Sequence, residues 1–247
     1  MKSFRTLLKN ELKLNIRNMN MVIFAVIMPL IVLVVLGLIY GTKPAADGAA
    51  YTFMEQSFGA LCCISICAGG LMGLPLLVSE YRERKILKRF QVTPVSPAKL
   101  LLVEFLIYVI YCVVSILTLF PAAMLFWKIK IHGSVLLFLG SWLLTMVSTL
   151  SIGLLVGGIA KNMKSASVIA CILYFPMLIF SGATLPFEVM PVAMQKIISI
   201  FPLTQGIQLM KAAYLGLPID NILLPVIVMS FITLVCFGIS VKYFKWE

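Results

Sequence analysis

Six long runs of this chain carry no charged residue, and their length limits the fold more than any other feature. They lie between Arg17 and Lys43, Glu55 and Glu80, Glu104 and Lys128, Lys130 and Lys161, Lys164 and Glu188, and Asp220 and Lys242. A helix crosses hydrocarbon with about 20 apolar residues. Backbone groups in lipid must be bonded within their own segment, which favours helices, and the alternation of barrel strands is absent. The runs predict an all-α polytopic membrane protein with one transmembrane domain over 1–247. Spans are expected near 21–41, 57–78, 100–127, 135–159, 166–185 and 222–241. Composition agrees: 12% of residues are charged, against about 25% in soluble domains.

The net charge of +11 would suit a nucleic-acid partner, but the cations flank the apolar runs. Lys2, Arg5, Lys9, Lys13 and Arg17 precede the first, and Arg82, Arg84, Lys85, Lys88, Arg89 and Lys99 separate the second from the third. Lys161, Lys164, Lys242 and Lys245 follow the fourth and sixth. The positive-inside rule places both termini and the 79–99 loop in the cytoplasm, so no nucleic-acid partner is expected. The first run is longer than a signal-peptide core and reads as a span. Within residues 1–20, Phe4, Leu7, Leu8, Leu12 and Ile16 recur on one helical face. That pattern predicts an amphipathic helix on the inner leaflet, its cations toward lipid headgroups.

Little in the sequence suggests chemistry. No Walker A pattern occurs, and His132 has no neighbour with which to form a zinc site or a catalytic pair. The six cysteines lie in apolar runs; Cys63 and Cys67 share a helical face but read as packing residues. No metal site is expected. Glu104 is the one acid within an apolar stretch, five residues beyond Lys99, so it is expected to reach the interface or pair with a basic side chain of the loop. Two stripes of small residues, Ser65, Gly69 and Gly73 and then Thr149, Gly153 and Gly157, predict close helix contacts. Pro29, Pro75, Pro121, Pro176 and Pro225 fall in five different spans, where each can bend its helix.

Two connecting segments stand out. Residues 186–220 are too broken by prolines to span and too apolar for an exposed loop. They predict two short helices, the second ending at Gly216, that dip back into the outer leaflet, where such backbone must be buried or line a cavity. In the loop "SEYRERKILKRFQVTPVSP", Glu80 and Glu83 come first and cations follow, which complements a helix dipole. Thr93-Pro94 stops that helix. Ser96 then reads as the N-cap of the third span, with Pro97 in its first turn.

These two segments resemble the permease subunits of the ABC-2 type transporter family. The first matches in Arg82-Glu83, in Thr93-Pro94-Val95-Ser96 and in the spacing between them. Lys85-Ile86 stand where that family has glycine and threonine. The second matches in Phe180-Ser181-Gly182, Pro186, Met190-Pro191 and Phe201-Pro202-Leu203-Thr204. Gln205 stands where the family often has Ser, Tyr, His or Arg. The resemblance implies half of a transporter: a six-span permease paired with a second permease subunit, identical or different, in a bacterial cytoplasmic membrane. A separate ATPase subunit would bind ATP and magnesium, leaving this chain without a cofactor and without enzymatic activity of its own. It also implies that Glu80, Arg82, Glu83, Arg84, Lys88, Arg89, Thr93, Pro94 and Ser96 form a coupling helix seated on that ATPase. Gly182, Pro186, Pro191, Pro202, Thr204 and Gln205 would shape the outer gate. The expected activity is efflux of a drug, antibiotic or peptide, with lipid or polysaccharide export as the alternative. A membrane enzyme or an ATP-independent transporter would need several ionisable groups at membrane depth, where only Glu104 is available.

Overall fold

Helices in this chain start and stop where side chains take over backbone groups that the helix cannot bond. The computed structural model describes residues 2–17, 19–45, 51–86, 96–182, 190–218 and 222–243. Its helices are α1 (Lys2–Arg17), α2 (Met19–Tyr40), α3 (Phe53–Glu83), α4 (Pro97–Trp127), α5 (Val135–Ile159), α6 (Met163–Phe180), α7 (Val192–Ile198), α8 (Pro202–Leu215) and α9 (Leu223–Tyr243). Thr52, Ser96, Ser134 and Asn162 cap α3, α4, α5 and α6 through their side chains, each accepting an N–H that the first turn leaves unbonded. Gly216 ends α8 in the left-handed conformation (φ 70°). The described residues form no strand, only an isolated bridge between Pro44 and Thr52. Among the described residues six helices (α2, α3, α4, α5, α6 and α9) are long and apolar enough to cross a membrane.

Central and peripheral helices differ in burial. Of the apolar stretch in α3, 78% is buried, against 17% in α6 and in α9. Around α3 lie α2, α4, α5, α6 and α8, while α9 packs chiefly on α5. Lipid is as apolar as these side chains, so helix association rests on close packing. The two small-residue stripes serve that end. The α5 stripe meets α3: a Cβ on Gly153 would come within 1.8 Å of the Gly70 carbonyl, and one on Gly157 within 2.9 Å of Val78. The α3 stripe meets α4, with a Cβ on Gly69 or Gly73 landing 3.2 or 2.6 Å from Tyr108.

Two prolines are accommodated by π-helical turns, at Ile23–Ile27 before Pro29 and at Ala68–Gly73 before Pro75. A proline has no N–H, and its ring clashes with the carbonyl four residues back; a wider turn relieves that clash. In the second turn, Leu74 N–H reaches Gly69 O. Pro75 cannot do the same for Gly70 O, the carbonyl against which Gly153 sits. Pro121 and Pro176 lie inside α4 and α6 without such a turn.

At one end of the bundle α8 is wedged between α3 and α5. Phe58, Phe138 and Tyr214 interlock there, with ring centroids 5.5–5.9 Å apart. Gly206 lies against Thr145, whose Oγ1 would be 2.0 Å from an added Cβ. Thr145 is about 15 Å beyond the start of α5 at 1.5 Å per residue. The far end of α8 meets the α4–α5 connection: Tyr214 O accepts from His132 and Gly133 N–H, and Ala213 O from Ser134 N–H. So α8 runs inward beside α5 by roughly that depth.

Candidate functional site

The last turn of α3 holds three consecutive residues that point about 100° apart, as any helix dictates, and each reaches a different neighbour. Tyr81 turns toward α1 and α4. Its hydroxyl donates to Glu11 Oε2 at 2.7 Å and lies 3.4 Å from Glu104 Oε1. Asn15, one turn beyond Glu11, donates through Nδ2 to Glu11 O at 3.1 Å and approaches Glu104 Oε2 at 3.5 Å. Glu11, Asn15 and Glu104 are all buried.

Arg82 turns toward α5. Its Nη1 donates to Gly157 O (3.3 Å) and to Ala160 O, and its Nη2 to Gly158 O at 3.0 Å. A cation thus sits on carbonyls that the end of α5 leaves free, at the negative pole of its dipole. Glu83 turns toward α6, where Oε2 accepts from Met163 N–H at 2.9 Å. That is the positive pole of the next helix, already capped by the reciprocal Asn162–Ser165 pair. Arg82 and Glu83 therefore hold the α5–α6 turn from both sides, each with the sign its helix end calls for.

Beyond this grip the chain turns. Glu80 and Arg84 pair at 2.9 Å across one helical turn. Lys85 adopts a left-handed backbone (φ 55°), at the position where the family motif has glycine. Lysine keeps the turn there, at a cost of about 1–2 kcal/mol that glycine avoids. Lys88, Arg89, Thr93 and Pro94 lie outside the described residues. Ser96 accepts from Lys99 N–H at 3.4 Å and starts α4.

Several expectations change. Glu80, Arg82 and Glu83 lie in the last turns of α3, where Arg82 and Glu83 find partners on α5 and α6 and Glu80 pairs with Arg84; residues 87–95 of the expected coupling helix lie outside the described residues. Glu104 is 1% exposed and faces Tyr81 and Asn15; among the described residues it pairs with no basic side chain of the loop. Helix α1 shows the expected apolar face but turns Phe4, Leu7, Leu8 and Leu12 to the protein core, while Ile16 is exposed and Glu11 and Asn15 are buried.

At the opposite end His132 does have a neighbour. Its Nε2 lies 3.4 Å from Glu55 Oε1. Glu55 also accepts from Lys130 N–H (2.9 Å) and Thr52 N–H (2.8 Å), tying the start of α3 to the α4–α5 connection. The sequence reading passed over Glu55, although the Thr52-x-x-Glu55 spacing of a capping box was visible. Pro191 precedes α7 and Pro202 opens α8. Thr204 and Gln205 are buried in the first turn of α8, and Gly182 (φ 93°) lines a cavity between α2, α3 and α6. Pro186 lies outside the described residues. Among the described residues no cluster of His, Cys, Asp or Glu could hold a metal.

A central span whose last turn clamps four other helices, next to a basic segment, belongs to a multi-pass membrane protein. Comparison with known proteins narrows the class. The profile of the ABC-2 type transporter family matches residues 2–215, and the chain belongs to that family. It is 28% identical over 132 residues to an inner membrane transport permease, YhhJ, of Escherichia coli (strain K12), covering 53% of this chain and 35% of that protein. It is 32% identical over 97 residues to nodulation protein J of Rhizobium leguminosarum bv. viciae, covering 39% and 38% respectively. The chain spans about a third of the length of the curated relatives it matches.

Proposed function

We propose that this chain is the membrane-spanning permease of an ATP-driven exporter, working with a second permease subunit and a separate ATPase on the cytoplasmic side. Both termini and the 79–99 loop face the cytoplasm, following the Lys and Arg distribution. The observation that carries the reading is the Tyr81–Arg82–Glu83 grip on α1, α4, α5 and α6. It lies immediately before the charged loop. A partner that displaces the loop moves the end of α3, and the four gripped helices move with it. Contact and transmission then fall to different residues. Arg84, Lys88 and Arg89 meet the ATPase, while Tyr81, Arg82 and Glu83 pass the movement into the bundle.

At the other end α7 and α8 form a re-entrant pair shaping the exit. The depth of Gly206 beside Thr145 supports this. The α2–α3–α6 cavity of about 350 Å³ is lined mostly by apolar groups such as Val32, Leu36, Leu61 and Leu178. It favours an apolar or amphipathic cargo, such as a drug, antibiotic or peptide, over a sugar chain.

The test is co-purification with the cognate ATPase, joined to transport in reconstituted vesicles. Replacing Arg84, Lys88 and Arg89 together by alanine should release the ATPase. Arg82→Ala should leave the ATPase bound and stop transport. Transport by this chain without any ATPase would overturn the reading, and so would ATPase binding that is indifferent to the loop charges.

A further inference from the structure

The acid pair at the end of α3 has no cation to answer it. Glu11 and Glu104 are 5% and 1% exposed, and both meet the Tyr81 hydroxyl. The elements packed around them supply neutral groups: Asn15 from α1, Tyr81 from α3, and Tyr108 and Tyr111 from α4. Side chains lean toward the start of their helix, so the two α4 tyrosines reach back toward Glu104. The Tyr111 hydroxyl has no hydrogen-bond partner among the described residues. Lys9 and Lys13 on α1 and Lys99 on α4 are exposed. Arg82 turns to α5, and Arg84 is held by Glu80 at 2.9 Å.

The hydrogen bonds fix where a proton belongs. Asn15 Nδ2 donates to the Glu11 backbone carbonyl, so it is an NH₂ group that faces Glu104 Oε2, and that oxygen accepts. Tyr81 gives its one hydroxyl proton to Glu11 Oε2 at 2.7 Å. Toward Glu104 Oε1, 3.4 Å away, it therefore turns lone pairs. Two oxygens that face each other through lone pairs repel; a proton on Oε1 turns the contact into a bond. Glu104 O–H then donates to the Tyr81 oxygen, and Tyr81 O–H to the Glu11 carboxylate. Water has a route to the chain: a cleft of about 190 Å³ between α1 and the end of α3 is lined by Asn15, Tyr81 and the Glu80–Arg84 pair. We propose that Glu104, Tyr81 and Glu11 bind one proton between them, and that this proton latches α1 to the bundle. When it passes to water in the cleft, two buried carboxylates are left around one hydroxyl, and like charge pushes α1 from α4. The latched state holds one proton more than the released state. The latch is therefore closed at low pH and opens as pH rises.

The experiment needs neither ATPase nor cargo, so its outcome is independent of the exporter reading. The purified full chain, in phosphatidylcholine nanodiscs, is taken from about pH 6, above ordinary carboxyl titration, to about pH 10. Infrared difference spectra should show a protonated-carboxyl band that disappears as pH rises. Hydrogen-exchange protection factors, which remove the intrinsic pH dependence of exchange, should fall about tenfold over residues 8–17 in the same interval, the ratio that one charge-assisted bond provides. Glu104→Gln puts an amide N–H where the acid holds its proton and an amide oxygen opposite Asn15. It should abolish the band and keep α1 protected at every pH. Glu11→Gln should also keep α1 protected, because a single charge is then left. A wild-type spectrum without the band, protection that does not change with pH, or a pH dependence that survives either glutamine substitution overturns the proposal.

Discussion

The two ends of α3 are both tied down by charged side chains, but in opposite ways. At its start, Glu55 collects backbone N–H groups from Thr52 and Lys130, with His132 beside it. Backbone of the α4–α5 connection then bonds directly to the end of α8. At its end, Tyr81, Arg82 and Glu83 reach out to α1, α4, α5 and α6 with side chains, and Arg82 and Glu83 too meet main-chain groups there. The difference is that the connection held at the start is also bonded main chain to main chain with α8. Side-chain ties have rotamers and can re-form after a shift; main-chain ties between short segments cannot do so without unfolding them. The contrast assigns a fixed end and a movable end to one helix, with the movable end beside the charged loop.

Substitutions can break or sharpen this contrast. Arg82→Ala should have the largest effect. It removes three charge-assisted bonds and leaves the carbonyls at the end of α5 buried without a donor. A loss of about 3 kcal/mol is expected, read as a lower unfolding midpoint in detergent; an unchanged midpoint would mean that α5 does not depend on α3 at this end. Gly153→Ala follows. The added methyl meets a backbone carbonyl that no rotamer change can move, and overpacking of this kind costs about 1–3 kcal/mol. The same thermal assay reports it, and reversal by a side-chain substitution nearby would contradict the geometry.

Glu55→Gln tests the fixed end. It puts an NH₂ among N–H donors and should cost about 1–3 kcal/mol. Hydrogen exchange should show the loss in residues 128–134 while α5 and α6 near Arg82 stay protected. Tyr81→Phe tests the movable end more gently, removing one hydroxyl shared by two acids for about 1 kcal/mol. Faster exchange confined to α1 and the start of α4 is the expected signature. Lys85→Gly should be the smallest, a net gain of about 1 kcal/mol, since relief of the left-handed backbone is partly offset by the greater chain entropy that glycine loses on folding. A loss of stability would show that the lysine side chain has a role the backbone does not reveal.

Much of the fold was legible because a bilayer allows few solutions. A charge-free run of the right length must become a helix, and caps such as Ser96 and C-terminal glycines such as Gly216 mark where helices end. The small-residue stripes were legible as contact faces too, though not which helix each would meet. The site was harder to read. Arg82 and Glu83 sit in a stretch whose cations all look alike in sequence, and the family resemblance implied a coupling helix that faces a partner. Nothing local distinguishes the arginine that turns inward to α5 from Arg84, which stays exposed and pairs with Glu80. Burial of Glu11 was hidden for a similar reason, since a single acid in a basic amphipathic helix reads as surface.

By itself the sequence determined that six segments are long and apolar enough to span a membrane as helices, and the family. Both follow from hydropathy, charge and short motifs, which are properties of neighbours along the chain. Only the tertiary structure decided that α5 and α6 meet at the end of α3, that Tyr81 would find two acids there, and that α8 would sink beside Thr145. Those outcomes depend on which helix ends converge. An unbonded carbonyl at the end of α5 looks the same in any helix until a guanidinium from another helix, some 75 residues away in sequence, is brought against it.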